Sequence, residues 1–216
     1  MFFSKIISVI FHPVFMPLLA FLLTINISQE LNNQLKQANC LSNLVFVIII
    51  SSCLLPIFFV AFLKRIGWIN SIYLHLRKDR IFPLFFSAIS LYSGILCLQS
   101  CLDSLLLLRQ VFLSFAINIF VAMVISFFWK ISLHMLSVGG VLGAIISVGT
   151  VCESDKNKII VVVIVLMILV LLLGFARIKE KAHDKLQVIL GFLIGLTLVS
   201  LFILSKNNIS YLNFSI

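Results

Sequence analysis

The stretch IIVVVIVLMILVLLL, from Ile159 to Leu173, is apolar at every position. A β-strand that spans a membrane alternates apolar and polar residues over about ten positions, so this stretch does not fit a membrane barrel. A helix that spans a membrane needs about 20 predominantly apolar residues. With the residues that follow it, the stretch predicts a transmembrane helix over Ile159–Ala176.

Further apolar stretches on both sides of this helix predict a membrane protein. The least certain of these stretches contains four glycines, Gly139, Gly140, Gly143 and Gly149. The first stretch contains Pro13 and Pro17, which predict a kink in its helix. We therefore expect an all-α polytopic membrane helix bundle with six to seven transmembrane helices, forming a single integral membrane domain over residues 1–216. The other predicted spans are Ile6–Ile27, Leu44–Leu63, Ile81–Leu98, Leu105–Phe128, Met135–Cys152 and Leu186–Leu204.

The composition excludes several classes of protein. The chain has 216 residues, of which 62% are hydrophobic and 11% are charged. A soluble fold of this size cannot bury so much apolar surface, which excludes a soluble enzyme, a nucleic-acid-binding module and a disordered chain. The net charge of +9 is therefore not evidence for nucleic acid as a partner. In a bilayer, cations mark one side of the membrane or an anion site.

Seven spans place the connecting loops alternately on two faces of the membrane. Face one holds the N-terminus and the loops between spans two and three, four and five, and six and seven; face two holds the others. By the positive-inside rule alone, face one would be cytoplasmic. Face one carries eleven cations, Lys5, Lys64, Arg65, Arg77, Lys78, Arg80, Lys130, Arg177, Lys179, Lys181 and Lys185, and face two carries five, Lys36, Arg109, Lys156, Lys158 and Lys206.

The cysteines, His12 and the residues before the third span are predicted to have structural roles. Cys40, Cys101 and Cys152 fall near face two, where one disulfide could form if that face is oxidising, but we expect free apolar thiols. His12 lies inside the first span beside Pro13 and is predicted to be a hydrogen-bonded packing residue at the kink. The i, i+4, i+8 spacing of Trp68, Ile72 and Leu76 predicts a short interfacial helix that carries His75.

Three short polar segments at the ends of spans are the candidates for chemistry. Segment one is Leu76–Pro83, segment two is Trp129–His134 and segment three is Ala176–Gln187. Two spans separate each segment from the next, so all three reach face one. Taken singly, they have simpler interpretations: a cation cluster that binds lipid headgroups, an interfacial Trp-Lys anchor and a charged connecting loop.

Together the segments resemble the membrane branch of the type 2 phosphatidic acid phosphatase and haloperoxidase superfamily. Segment three keeps the family spacing from arginine to histidine with Arg177 and His183, and has Gln187 where the family has aspartate. Segment two keeps the serine and histidine of the second family motif as Ser132 and His134, without its proline and glycine. Segment one is the most divergent and has Tyr73 where the family lysine would stand. The resemblance covers about residues 77–195.

The resemblance implies a reaction and a set of site residues. A phosphoric ester hydrolase of this family would attack a lipid phosphate or diphosphate ester with His183, forming a phosphohistidine, and would need no metal or other cofactor. His134 would protonate the leaving alcohol, and Gln187 would orient the His183 ring. The residues that would bind phosphate are Arg77, Lys78, Arg80, Lys130, Ser132 and Arg177.

The sequence leaves two alternatives and one location open. A catalytically degenerate relative that binds lipid phosphate would carry the same cations, and Gln187 supplies no negative charge to the His183 ring. A small transporter is the other alternative, although no internal repeat is visible. The expected partners are the bilayer and a phospholipid or isoprenoid-lipid phosphate, in a bacterial inner (plasma) membrane, with the side of the site undecided.

Overall fold

The computed structural model describes residues 2–74, 76–152 and 154–213 and is an all-α polytopic bundle. Within these residues seven helical segments are long and apolar enough to cross a membrane, one for each predicted span. The α-helices are α1 (Phe2–Ile10), α2 (Met16–Ile27), α3 (Gln29–Ala38), α4 (Leu41–Ile48), α5 (Leu55–Arg65), α6 (Ile81–Cys97), α7 (Gln99–Leu102), α8 (Leu106–Phe128), α9 (Leu133–Val151), α10 (Lys156–Lys179) and α11 (Lys185–Asn213).

The first span is broken where its prolines predict a kink. Helix α1 ends at Ile10, a single 3-10 turn follows at Pro13–Phe15, and α2 begins at Met16. Proline lacks the N–H that would continue the helix, and the ring nitrogen Nδ1 of His12 accepts a hydrogen bond from the Val14 N–H at 3.4 Å. Because the helix is broken here, the His12 side chain can contact α9.

Helix α9, predicted from the least certain apolar stretch, lies at the centre of the bundle. Its most apolar window is 72% buried inside the protein and has a mean hydropathy of 1.7, whereas the corresponding window of α10 has a mean hydropathy of 3.6 and is 33% buried. Helix α9 packs against α2, α8, α10 and, most extensively, α11. A helix surrounded by protein needs less hydropathy than one surrounded by lipid, and the modest hydropathy of α9 fits its central position.

Glycines allow the backbones of α9 and α11 to approach each other closely. A Cβ atom placed on Gly195 would lie 1.9 Å from the carbonyl oxygen of Leu136, and one on Gly139 would lie 2.3 Å from that of Phe192. Small residues at i, i+4 positions are a common way to bring membrane helices together. Gly143 and Gly191 face the backbone of the opposite helix in the same way.

Replacement of Gly195 by alanine should destabilise the protein. The new methyl group would meet backbone atoms of α9, which cannot move aside without separating the helices, at a cost of about 1–3 kcal/mol or more. Thermal unfolding of the detergent-solubilised protein measures the effect. The matched control is Gly174→Ala, whose Cβ would meet side-chain atoms and no backbone, the nearest being Val188 Cγ1 at 3.3 Å. Equal melting temperatures for the two variants would contradict the proposed close packing.

Two expectations about loops are wrong. Residues 66–74, 76 and 77 form turns and bends, so the predicted interfacial helix is absent from them, and His75 lies outside the described residues. Gly67 and Leu74 have positive φ angles of 77° and 51°, which interrupt helical continuity after α5. Free thiols were expected at Cys40 and Cys101, but the two form a disulfide between the start of α4 and α7.

Candidate functional site

Segment two is the meeting point of the three polar segments. Residues 129–132 run without helical structure between α8 and α9. The Arg80 guanidinium of segment one donates from Nη1 to the carbonyl oxygen of Ile131 at 2.7 Å. On the other side, the Ser132 N–H donates to the carbonyl oxygen of Gln187 at 3.3 Å. The structure therefore brings segments one and three into direct contact with segment two on face one.

Arg80 is fixed at the entrance of the third span. Its residue is only 5% exposed, and its Nε donates to the carbonyl oxygen of Leu74 at 2.9 Å. The preceding Asp79 is also buried and accepts hydrogen bonds from the backbone and side-chain amides of Asn70, at 2.9 and 3.2 Å. Asp79 thus ties the loop before the span to the 3-10 turn Lys78–Arg80, which orients Arg80 towards segment two.

His183 is the buried titratable group of segment three. Asp184, the next residue, accepts a hydrogen bond from the Gln187 N–H at 2.8 Å just before α11 begins. The His183 Nδ1–H donates to Gln187 Oε1 at 2.8 Å. This bond places the proton on Nδ1 and leaves the lone pair of the neutral ring on Nε2.

Three cations surround His183 electrostatically. Burial lowers the pKa of His183 to about 4, and the charges of Arg80, Lys130 and Arg177 act in the same direction, whereas the hydrogen bond that His183 donates to Gln187 acts to raise the pKa. Burial also lowers the pKa of Lys130, with contributions from Arg80 and Arg177. The charges of Arg80, Lys130 and Arg177, one cation from each segment, therefore act on the His183 ring, which is neutral near pH 7.

Arg177 connects segment three to the first span. Its Nη1 donates to the Ser8 hydroxyl at 3.0 Å and to Glu180 Oε2 at 2.9 Å. The side chains of Arg177 and Glu180 are only 14% and 16% exposed, so this ion pair is largely shielded from solvent. Glu180 therefore neutralises part of the positive charge that segment three brings to the site.

His134 lies against the broken first span. Its Nε2–H donates to the carbonyl oxygen of Ser8 at 2.9 Å, and its ring meets the ring of His12 edge to face, with centroids 5.5 Å apart. The charge of Arg177 also acts on His134. His12 is thus a neighbour of the candidate site through His134, in addition to its expected role at the kink.

Besides the acceptor Glu180 Oε1, two polar atoms of the cluster are buried without a hydrogen-bond partner among the described residues. They are the hydroxyl oxygen of Ser132, a residue with no exposed surface, and Nε of Arg177. A buried donor without a partner costs about 1–3 kcal/mol, and such groups are rare in folded proteins. Both atoms are donors that an anion could use.

Two of the expected phosphate-binding residues lie at the periphery. Arg77 is exposed, and its guanidinium donates to the carbonyl oxygen of Phe128 just before segment two. Lys78 is exposed at the first position of the 3-10 turn. Tyr73, at the position of the family lysine, is 75% exposed. The buried part of the cluster consists of His183, Arg80 and Ser132, with Arg177, His134, Lys130 and Gln187 half-buried beside it.

Three residues of the site were not assigned to it from the sequence. Ser8 and His12 belong to the first span, far from the motifs in sequence, and only the break at Pro13 hints that the span has a polar side. Glu180 lies in a run of charged residues, where a carboxylate is usually solvated. Within the described chain, no group of three or more His, Cys, Asp or Glu side chains is arranged to hold a metal ion.

The lowered pKa of His183 predicts that its ring stays neutral in mildly acidic solution. A histidine with its ordinary pKa of about 6.5 would be mostly protonated at pH 5, whereas His183, with a pKa of about 4, would be mostly neutral. Nitrogen NMR of the histidine-labelled protein in detergent measures this, with His183→Ala identifying the signal. A titration midpoint near 6.5 would contradict the burial and the three neighbouring cations.

Comparison of the chain with protein-family models, with curated proteins and with solved structures found no match.

Proposed function

We propose that the chain is a lipid phosphate phosphatase-like membrane protein, which hydrolyses a phosphate or diphosphate ester of a lipid. The observation that carries this proposal is the state of His183: a buried ring whose Nδ1–H donates to Gln187, and which the charges of Arg80, Lys130 and Arg177 help to keep neutral. A neutral imidazole is a nucleophile, and three cations provide the charge that a phosphate dianion requires.

Phosphate binding is assigned to the cations and the unpaired donors of the cluster. Arg80, Lys130 and Arg177 would contact the nonbridging oxygens, with the Ser132 hydroxyl and Arg177 Nε as further donors. Arg177 already shares one nitrogen between Ser8 and Glu180, so an incoming phosphate competes with Glu180 for the guanidinium. Arg77 and Lys78, at the exposed edge, would attract the anion from outside the buried cluster.

The proposed reaction proceeds in two displacements. The lone pair on His183 Nε2 attacks phosphorus, the N–P bond forms, and the bond between phosphorus and the lipid oxygen breaks. The leaving lipid alkoxide takes a proton from His134, which takes this proton up from water when the negative charge of the bound phosphate offsets the charge of Arg177. Water then attacks the phosphohistidine and gives a proton to the neutral His134, and phosphate leaves with His183 restored. Ser8 holds His134 by its Nε2–H, so Nδ1 carries the transferable proton.

A second candidate function is binding of lipid phosphate without turnover. It is favoured by Gln187, which accepts the Nδ1–H of His183 but supplies no negative charge to the imidazolium that forms during attack. Asp184 cannot replace the missing carboxylate from its place as the cap of α11, where it accepts from the Gln187 N–H. In this alternative the same cations hold the headgroup and the chemistry does not proceed.

The substitution Gln187→Glu distinguishes these functions. Glutamate has the length of glutamine, so a carboxylate oxygen can take the place of Oε1, 2.8 Å from His183 Nδ1. Its charge raises the pKa of His183 above about 4 and stabilises the developing cation. We expect kcat to rise by about tenfold, which corresponds to about 1.4 kcal/mol. A Gln187→Glu variant slower than the wild type would contradict this role of the pair.

Release of inorganic phosphate tests the proposed function. The purified protein in detergent is assayed against phosphatidate, phosphatidylglycerophosphate and undecaprenyl diphosphate, with a chelator present. We expect release from at least one of them. If the wild type and Gln187→Glu both release nothing while lipid phosphate still binds, the second candidate replaces the first.

A further inference from the structure

The disulfide marks one face of the membrane independently of the candidate site. Cys40 precedes α4 in the connection between spans one and two, and Cys101 lies in α7 between spans three and four. Both connections belong to face two. The three polar segments and His183 belong to face one, at the opposite ends of the same spans.

A disulfide indicates the compartment that its face contacts. Disulfides persist in oxidising, extracytoplasmic compartments and are reduced in the cytosol. Face two is therefore the extracytoplasmic side, and face one the cytoplasmic side. The excess of lysine and arginine on face one gives the same orientation, although four of those cations, Arg77, Arg80, Lys130 and Arg177, are candidate phosphate ligands. The disulfide involves none of those ligands, so the argument from the disulfide is independent of the argument from the loop charges.

Exposed aromatic side chains next to segments one and two indicate that the cluster lies at the depth of the lipid headgroups. Phe128, Tyr73 and Trp68 are 79%, 75% and 62% exposed and lie next to segments one and two on face one. Exposed tryptophan and tyrosine gather at the boundary between lipid and water. Arg77 reaches the carbonyl oxygen of Phe128 within this aromatic zone. A lipid headgroup at the same depth can meet the cations without leaving the bilayer.

We infer that the cluster faces the cytoplasm and takes lipid phosphates from the cytoplasmic leaflet. The orientation follows from the disulfide and the loop charges; the choice of lipid phosphate as ligand rests on the proposed function. The side of the site, which the sequence left undecided, is thereby assigned.

Cysteine labelling of the full chain in cells tests the orientation. In a variant with Cys53→Ala, Cys97→Ser and Cys152→Ser, Cys40 and Cys101 should react with an impermeant maleimide in intact cells only after an impermeant reductant has been added. A cysteine at Ile66, which is 44% exposed in the first face-one loop, should be protected in intact cells and labelled in inverted vesicles. Ile66→Cys leaves every charge in place.

Opposite labelling of the two sites would overturn the inference, and so would direct labelling of Cys40 and Cys101 without reductant. Because the triple substitution could impair folding, a fusion of alkaline phosphatase to the C-terminus of the otherwise unaltered chain gives a second measurement. The seventh span ends on face two, so the alkaline phosphatase fusion should be active. An inactive phosphatase fusion, together with a fluorescent fusion of green fluorescent protein at the same position, would overturn the orientation.

Membrane vesicles separate the orientation from the function. A short-chain lipid phosphate added outside should be hydrolysed by inverted vesicles and not by right-side-out vesicles. Hydrolysis by right-side-out vesicles alone would overturn the assignment of the leaflet. If neither preparation hydrolyses it while the labelling holds, the proposed function fails and the orientation stands.

Discussion

Replacement of His183 by alanine should reduce the release of phosphate to background, a loss of at least about 10³-fold in kcat. The variant removes the only ring that the structure holds between Gln187 and the three cations. The side chain is buried but lies beside the start of α11, where its loss opens no large apolar cavity in the bundle. The protein should therefore insert and unfold like the wild type.

Lys185→Ala is the matched control for this variant. Lys185 is exposed at the start of α11, two residues beyond His183, and takes no part in the cluster. We expect wild-type kcat and an unchanged melting temperature in detergent. If His183→Ala keeps the activity of the wild type, the nucleophile has been assigned to the wrong residue.

Replacement of Arg177 by lysine should reduce kcat/KM by about 10²-fold or more, although the charge is kept. A lysine ammonium has three donors on a flexible stem, whereas the guanidinium presents a planar fork that can serve two oxygens at once. Arg177 uses one nitrogen for Ser8 and Glu180 and has Nε unpaired for a ligand. Loss of one well-placed donor to a transition state costs about 2.7–4 kcal/mol.

The same substitution on the other face provides the control. Arg109 is half-exposed on face two and pairs with Asp103 at 2.7 Å. Exposed ion pairs contribute about 0–1 kcal/mol, so Arg109→Lys should change neither kcat/KM nor stability appreciably. Comparable losses in both variants would mean that Arg177 acts on the fold of the protein and has no specific part in phosphate binding.

The fold was largely predictable because lipid imposes simple requirements on sequence. All seven spans were located from apolar runs, and Pro13 gave the break in the first. The central position of α9 was not predictable from hydropathy, since the third span has a lower mean hydropathy, 1.5 against 1.7, and is only 33% buried. The burial of α9 depends on α11, whose Gly191 and Gly195 match the glycines of α9 across the interface. Which two helices will pair through their glycines cannot be read from the sequence of either apolar stretch alone.

The sequence motifs located the main residues of the site, but they did not identify all the residues that contact them. The spacing of His183 and Gln187 predicted the hydrogen bond that the structure contains, although His183 lies in the bend before α11 and not on the helix itself. Ser8 reaches Arg177 and His134 from the other end of the chain, and no local pattern marks it. The disulfide was missed for a similar reason: Cys40 and Cys101 are 61 residues apart, and only the assembled bundle brings them together.

Trapping of the phosphorylated protein tests the central claim most directly. The purified wild type is mixed with a lipid carrying radiolabelled phosphate and quenched within the first turnover. The account predicts a protein-bound label that is stable in alkali and labile in acid, as a phosphohistidine is, and that maps to the peptide containing His183. The label should be absent from His183→Ala and present in Lys185→Ala. Release of phosphate by the wild type with no label on His183, or with the label retained in His183→Ala, would contradict the account.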